Sequence, residues 1–289
     1  MMSRRATLTP YLFLLPAVIG LALFKFYPLI NGLAASFFTE SFRSPARIFV
    51  GMRNYAEALA NPVFLNSLKV TLLFSLIVNP LQIALAMGLA LFLILEIRGK
   101  KIFRTIHIIP ITVSFPIACI LWAIIMNPDQ GLMNSILALF GIPNQPFLTD
   151  RRQALGSIIG IATWKGVGYW ALFLIAGLEE ISTSLYESAW IDGANRWVCF
   201  WRIMLPQMKR PLSFVVIADT VSNFMIFAPQ YLITKGGPDK STDFLMFEIF
   251  KNAYQYSNIG SSMAMLVLLV CLTLLVIAFE TYLLRDGEK

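Results

Sequence analysis

The sequence predicts an all-α, polytopic membrane protein with six transmembrane helices and one long helix-turn-helix joint on the cytoplasmic side. Three observations predict it. Of the 289 residues, 57% are apolar and 13% charged, where water-soluble domains carry about a quarter charged residues. Six apolar stretches reach the roughly 20 residues that a spanning helix needs. The Lys and Arg residues sit in short joints between those stretches, as orientation in a bilayer requires, and not in the aromatic-interleaved runs of a nucleic-acid surface.

The six stretches run from Leu12 to Leu33, Leu68 to Leu95, Thr105 to Met126, Leu155 to Leu178, Leu212 to Ile233 and Ser261 to Leu284, within a single membrane domain over 1–289. The first, interrupted by Pro16, Lys25 and Pro28, is too long for a signal-peptide core and reads as an uncleaved anchor. An even number of spans puts both termini on one side. Joints 1–10, 96–104, 179–210 and 285–289 carry 12 Lys and Arg in 56 residues, against 8 in 81 for 39–67, 127–153 and 234–258. That density places both termini in the cytoplasm, though the contrast is only about twofold. Cys119 and Cys271 fall in apolar runs and Cys199 in an inner joint, so no disulfide is expected.

The joint 179–210 reads as two short helices and a bend. Ser184 and Glu187 have capping-box spacing, and Gly193 permits a backbone that a side chain resists. Trp197, Phe200, Trp201, Met204 and Leu205 then form an apolar stripe at helical period, ended by Pro206 and Pro211. A stripe of this kind also suits a helix lying on the lipid surface.

The spacing Glu187, Ser188, Ala189, three residues, Gly193, nine residues, Ile203, one residue, Leu205, Pro206 resembles the E-A-A, x3, G, x9, I-x-L-P signature of permease subunits of binding-protein-dependent ABC importers, with Ser188 for the first alanine. Phe49, Gly51, Asn54, Tyr55, Pro110, Trp164, Gly236, Gly237, Pro238 and Thr242 are similar to positions shared by carbohydrate-importer permeases, so the resemblance covers nearly the whole chain. The subfamily it resembles is that of the larger maltose permease and the first glycerol-3-phosphate permease, without the extra helices and outer domain of the maltose subunit. The resemblance implies a type I ABC importer (MetI-like) permease fold in a bacterial inner membrane and a coupling loop docked in an ATPase cleft. It also implies two ATPase subunits that hold ATP and Mg, a second related permease, an extracytoplasmic substrate-binding protein and a sugar or polyol substrate. Glu187 either caps its own helix or touches the ATPase.

Charges inside spans usually face a cavity or a partner. Lys165 and Asp219 lie roughly 16 and 22 Å below the outer surface at helical rise, an offset a lysine can bridge. Asp219, Ser222, Asn223 and Gln230 fall at i, i+3, i+4 and i+11, one polar stripe on the fifth span. In the resembled family that span lines the pathway, which assigns the stripe to a cavity, with Trp164 and Tyr169 as aromatic faces for a sugar. The alternative is a structural Lys165–Asp219 ion pair, with Ser222 and Asn223 bonded to their neighbours.

His107 is the only histidine, which excludes a His-based metal cluster or a Ser-His-Asp site, and it reads as a solvated interface residue. The stretch Gly236 to Ser241 lacks the glycine a phosphate loop places before its lysine, so ATP hydrolysis belongs to other subunits and the chain binds no cofactor of its own. The rival reading is a secondary transporter driven by an ion gradient through Asp219.

Overall fold

A computed structural model describes residues 4–41, 44–95 and 100–285. In chain order the elements are α1 (Arg4–Leu21), a π-helical turn Ala22–Phe26, α2 (Tyr27–Ala35), β1 (Phe38–Ser41), β2 (Ser44–Phe49), α3 (Arg53–Ala60), α4 (Pro62–Ile94), α5 (Lys100–Thr112), α6 (Phe115–Ile125) and α7 (Leu132–Leu139). There follow α8 (Ala154–Glu179), α9 (Thr183–Ile191), α10 (Arg196–Cys199), a π-helical turn Phe200–Met204, α11 (Leu205–Gln207), α12 (Lys209–Phe224), α13 (Leu245–Phe250) and α14 (Ile259–Arg285). Residues 1–3, 42–43, 96–99 and 286–289, on which part of the orientation count rests, lie outside the described residues.

Among the described residues, four helices are long and apolar enough to cross a membrane: Pro10–Ala35, Pro62–Ile94, Ala154–Glu179 and Ile259–Leu284. The third expected span, Thr105 to Met126, is instead two helices, Ile102–Thr112 and Phe115–Ile125, bent by 105°. The cause is local. Ser114 is extended at ψ 145°, and Pro116 takes an early position of α6, where its missing N–H is one that a helix start leaves unpaired anyway. The fifth expected span is also interrupted, because α12 ends at Phe224 and Pro229 opens a separate π-helical segment Gln230–Thr234.

The chain divides into two compact units, 1–62 with 249–270, and 63–248 with 271–289. In the first, α1, the π turn and α2 run continuously, and the apolar window of that helix has no residue buried. Next comes an antiparallel hairpin that helical periodicity did not signal, with Phe38 opposite Phe49 and Thr39 opposite Ile48. Asn54 and Tyr55 hold it: Asn54 Nδ2 donates to Ser36 O at 2.8 Å and Phe38 O at 2.9 Å, and the Tyr55 and Ser36 hydroxyls share a 2.6 Å bond. Gly51 has φ +57°, and Phe49 meets Phe38 edge-on at 5.3 Å.

In the second unit two apolar clusters carry the packing. One joins Phe74 and Val78 of α4 to Ile158 and Ile161 of α8 and to Phe244. The other joins Ala86 and Ala90 of α4 to Trp170 and Leu174 of α8 and to Met208 and Val215. Close approach depends on glycine at one contact above all, since a Cβ on Gly168 of α8 would collide with the backbone carbonyl oxygen of His107 in α5. Gly168→Val is therefore expected to lower the stability of the assembled protein by about 1–3 kcal/mol or more, the cost of overpacking, read as a reduced melting temperature. His107 is half-buried, with its Nδ1 2.9 Å from Phe103 O, and all three cysteines are free.

Candidate functional site

A cavity of about 570 Å³ opens among α4, α5, α6, α8 and α12. It brings together Lys165 and Tyr169 of α8 with Asp219, Ser222 and Asn223 of α12, five of the seven residues expected there. Lys165 and Tyr169 are one helical turn apart, as are Asp219 and Asn223, so each pair shares a helix face.

Lys165 does not pair with Asp219. Its ammonium donates to the carbonyls of Pro110 (2.5 Å), Ile111 (3.2 Å) and Val113 (2.5 Å), the groups that the break between α5 and α6 releases. Unpaired backbone acceptors are costly inside a bilayer, and this one cation satisfies three of them. Asp219 is 1% exposed. Its Oδ1 accepts from Trp170 Nε1 at 2.6 Å and from Asn223 Nδ2 at 3.0 Å.

From there a polar network crosses the unit. Asn223 Nδ2 also donates to Asn79 Oδ1 (2.8 Å) and approaches Gln82 Oε1 (3.4 Å), Asn79 Nδ2 donates to Thr220 Oγ1 (2.9 Å), and Thr220 donates to Glu280 Oε1 (2.7 Å). Asn79, Gln82, Trp170 and Glu280 were not singled out from sequence. A lone carboxylate or amide inside an apolar run, as at Glu280 and Gln82, was the available signal. Gln82 also packs against Gly166, where a Cβ would lie 2.9 Å from its Oε1.

Two expected residues lie elsewhere. Trp164 lines a separate hollow with His107 and Pro110 and meets Trp122 edge-on at 5.5 Å. At about 100° per residue it stands about 140° around α8 from Tyr169, so the two cannot share a face. Gln230 falls past the end of α12, off the stripe. It is fully buried, and its amide has no hydrogen-bond partner among the described residues.

The joint 179–210 is the second candidate element. α9 begins after Ser182, not at Ser184, whose hydroxyl bonds Ser182 Oγ at 2.8 Å. The expected capping box with Glu187 is therefore absent, and Glu187 and Ser188 stand exposed on α9. The helix closes as its glycine requires: Gly193 has φ +81°, its N–H bonds Trp190 O at 3.1 Å, and Ala194 N–H bonds Ala189 O at 2.8 Å. This is the Schellman closure, with Ala189 as the far acceptor.

Asn195 then caps α10 by accepting from Val198 N–H at 2.9 Å. Ile203 lies in the π turn Phe200–Met204, and Leu205 and Pro206 start α11. The helix pauses at Met208 and resumes as α12, with Pro211 inside its first turn and not at the break. Burial first, then its electrostatic interaction with Cys199 of α10, push the phenol of Tyr186 in α9 above the usual value.

Trp197 stacks on Phe200 at 6.1 Å, and Trp201 meets the two edge-on at 5.8 and 5.1 Å. Yet Trp197 is 69% exposed, and on α9 Trp190 and Ile191 are 58% and 87% exposed. Ile181, Met204 and Met208 pack into the second apolar cluster, while the rings at Trp190, Trp197 and Trp201 stay uncovered by their own chain.

A largely apolar cavity with a few polar groups among broken apolar helices, with an aromatic-faced joint in the same unit, suits a membrane permease. The chain belongs to the family of binding-protein-dependent transport system inner membrane components, whose model matches residues 82–286. It is a permease subunit of an ABC transporter in the inner membrane, with several membrane-crossing helices, and not an enzyme.

It is 35% identical over 272 residues to the sn-glycerol-3-phosphate transport system permease protein UgpA of Agrobacterium fabrum, covering 94% of this chain and 92% of that one. It is 31% identical over 278 residues to the trehalose/maltose transport system permease protein MalF of Thermococcus litoralis, covering 96% and 93%. Among solved structures, a bacterial ABC transporter involved in import of the acidic polysaccharide alginate matches with TM-score 0.80 and 23% identity, over 96% of each chain, a likeness of fold.

Proposed function

We propose that the chain carries a sugar or related polyol across the membrane through the cavity at Asp219 and Asn223, as one half of a channel completed by a second, related permease. The uncovered aromatic face of the joint 179–210 carries this reading. Large exposed apolar patches mark interaction sites, and a helix pair locked at Gly193 transmits rigid-body motion that a loose loop would absorb. Two ATPase subunits holding ATP and Mg would grip that face, Glu187 and Ser188 among the contacts, and an extracytoplasmic binding protein would deliver the substrate. The six apolar stretches serve as six spans, two of them broken, with both termini in the cytoplasm.

The relatives' names point to the substrate class, and the cavity suits it. Its volume lies within the range of small-ligand sites, with Tyr169 and Phe227 as ring faces and Gln82, Ser222 and Asn223 as hydrogen-bonding groups. Asp219→Ala and Asn223→Ala are each expected to reduce uptake about tenfold or more in normally assembled complexes, the loss of a hydrogen bond to a charged or polar group. If both variants kept wild-type uptake rate and preference, the cavity assignment would fail. Uptake should also stop on ATP depletion and survive an uncoupler at constant ATP. The reverse result would favour an ion-gradient mechanism through Asp219.

A further inference from the structure

The eight Lys and Arg in the expected outer joints blunt the charge contrast across the membrane, and the fold shows where three of them go. Arg151 and Arg152, in the turn before α8, and Lys240, after the π segment Gln230–Thr234, line a single cavity of about 250 Å³ together with Lys69 of α4. Asp239 is the one carboxylate there, leaving a net charge of +3. None of the four cations is in an ion pair among the described residues, whereas Arg47 pairs with Glu40 and Arg53 with Glu57.

The backbone beneath the cluster is fixed, while its four cationic side chains are exposed. Asn66 Nδ2 donates to Lys240 O at 3.1 Å, and Arg152 N–H donates to Asp150 Oδ1 at 2.8 Å. Ser241 also lines the cavity, and its buried hydroxyl oxygen has no partner among the described residues. Like charges gathered without a counterion repel one another, so the arrangement calls for an anion.

The cavity also has an apolar wall, formed by Val70, Leu73 and Leu155. Below it α4 carries no charged residue as far as its end at Ile94, and Leu73, Leu76 and Ile77 lie exposed on it. A cationic rim, an apolar wall and a bare apolar helix follow one another, the gradient of an amphiphile. A dissolved anion would have no use for the lower two.

We propose that this cavity binds the phosphate of an anionic phospholipid, whose acyl chains run down the exposed face of α4. Arg151 and Arg152 offer forked donors that match phosphate oxygens, and Lys69 and Lys240 add point charges at headgroup level. The site is separate from the cavity at Asp219 and does not rest on the importer reading.

The test uses the complete complex in phosphatidylcholine nanodiscs with and without phosphatidylglycerol, with retained lipid read by native mass spectrometry. Wild type should retain phosphatidylglycerol over phosphatidylcholine. Arg151→Gln with Arg152→Gln, and Lys69→Gln with Lys240→Gln, should each weaken that retention by about tenfold or more, as expected for two basic residues near a lipid surface. The single Arg151→Gln variant, at an exposed residue, should weaken it less and serves if a pair fails to assemble.

Equal retention in wild type and variants would overturn the proposal. So would displacement of the lipid by millimolar inorganic phosphate, which marks a site for free anions. Variants that keep the lipid but lose binding of the substrate-loaded receptor would overturn it in favour of a protein-docking face.

Discussion

Lys165→Met is expected to abolish uptake and to lower the melting temperature of the assembled complex sharply. The substitution keeps most of the side-chain volume but removes the one ammonium that serves the carbonyls of Pro110, Ile111 and Val113. Leaving a buried acceptor unpaired costs about 1–3 kcal/mol, so losing three partners at once amounts to several kcal/mol, a large share of the stability of an ordinary domain. A combined Lys165→Met, Asp219→Asn variant separates this account from an ion pair. If the two charges neutralised each other, removing both should restore much of the loss, because the uncompensated charge is gone. No restoration is expected, since Asp219 is held by Trp170 and Asn223, and a double variant more stable than Lys165→Met would sink the argument.

The second large effect is expected at Gly193, in a graded series. Its φ of +81° lies in the left-handed region, which costs an ordinary side chain about 1–2 kcal/mol and a β-branched one more. Gly193→Asn should keep most uptake, because asparagine tolerates that conformation. Gly193→Ala should lose part of it, and Gly193→Val should lose nearly all while the membrane helices remain folded. The distinguishing readout is the ATPase activity of the reconstituted complex, which in the valine variant should no longer respond to substrate-loaded binding protein. Equal transport by the asparagine and valine variants would show that the Schellman turn at Ala189 and Ala194 is not what aligns the joint.

These two positions also mark what the sequence made legible. The left-handed turn could be read at Gly193 because a glycine after an apolar helix has few other uses, and the spacing from Glu187 to Pro206 identified the joint. The cavity face of α12 could be read because Asp219 and Asn223 repeat at one helical turn in an apolar run. Lys165 was visible as a charge in a span, but its partners are backbone carbonyls, and no residue type announces a carbonyl left free by a bend. Pro110, Ser114 and Pro116 hinted at an interruption without giving its angle. Trp164 was misplaced for want of rotational arithmetic, and Gln230 because a stripe was extended through Pro229, beyond the helix that supported it. The polar path to Glu280 needs side chains 60 to 144 residues apart, which local periodicity does not relate.

The first apolar helix, Pro10–Ala35, has a mean hydropathy of 2.0 and an apolar window with no residue buried, and neither apolar cluster of residues 63–248 includes any part of it. Such a helix behaves like a clasp waiting for a counterpart. Whatever lies alongside it in the bilayer, lipid or another chain, sets its tilt, because packing against neighbours fixes the angle of a spanning helix.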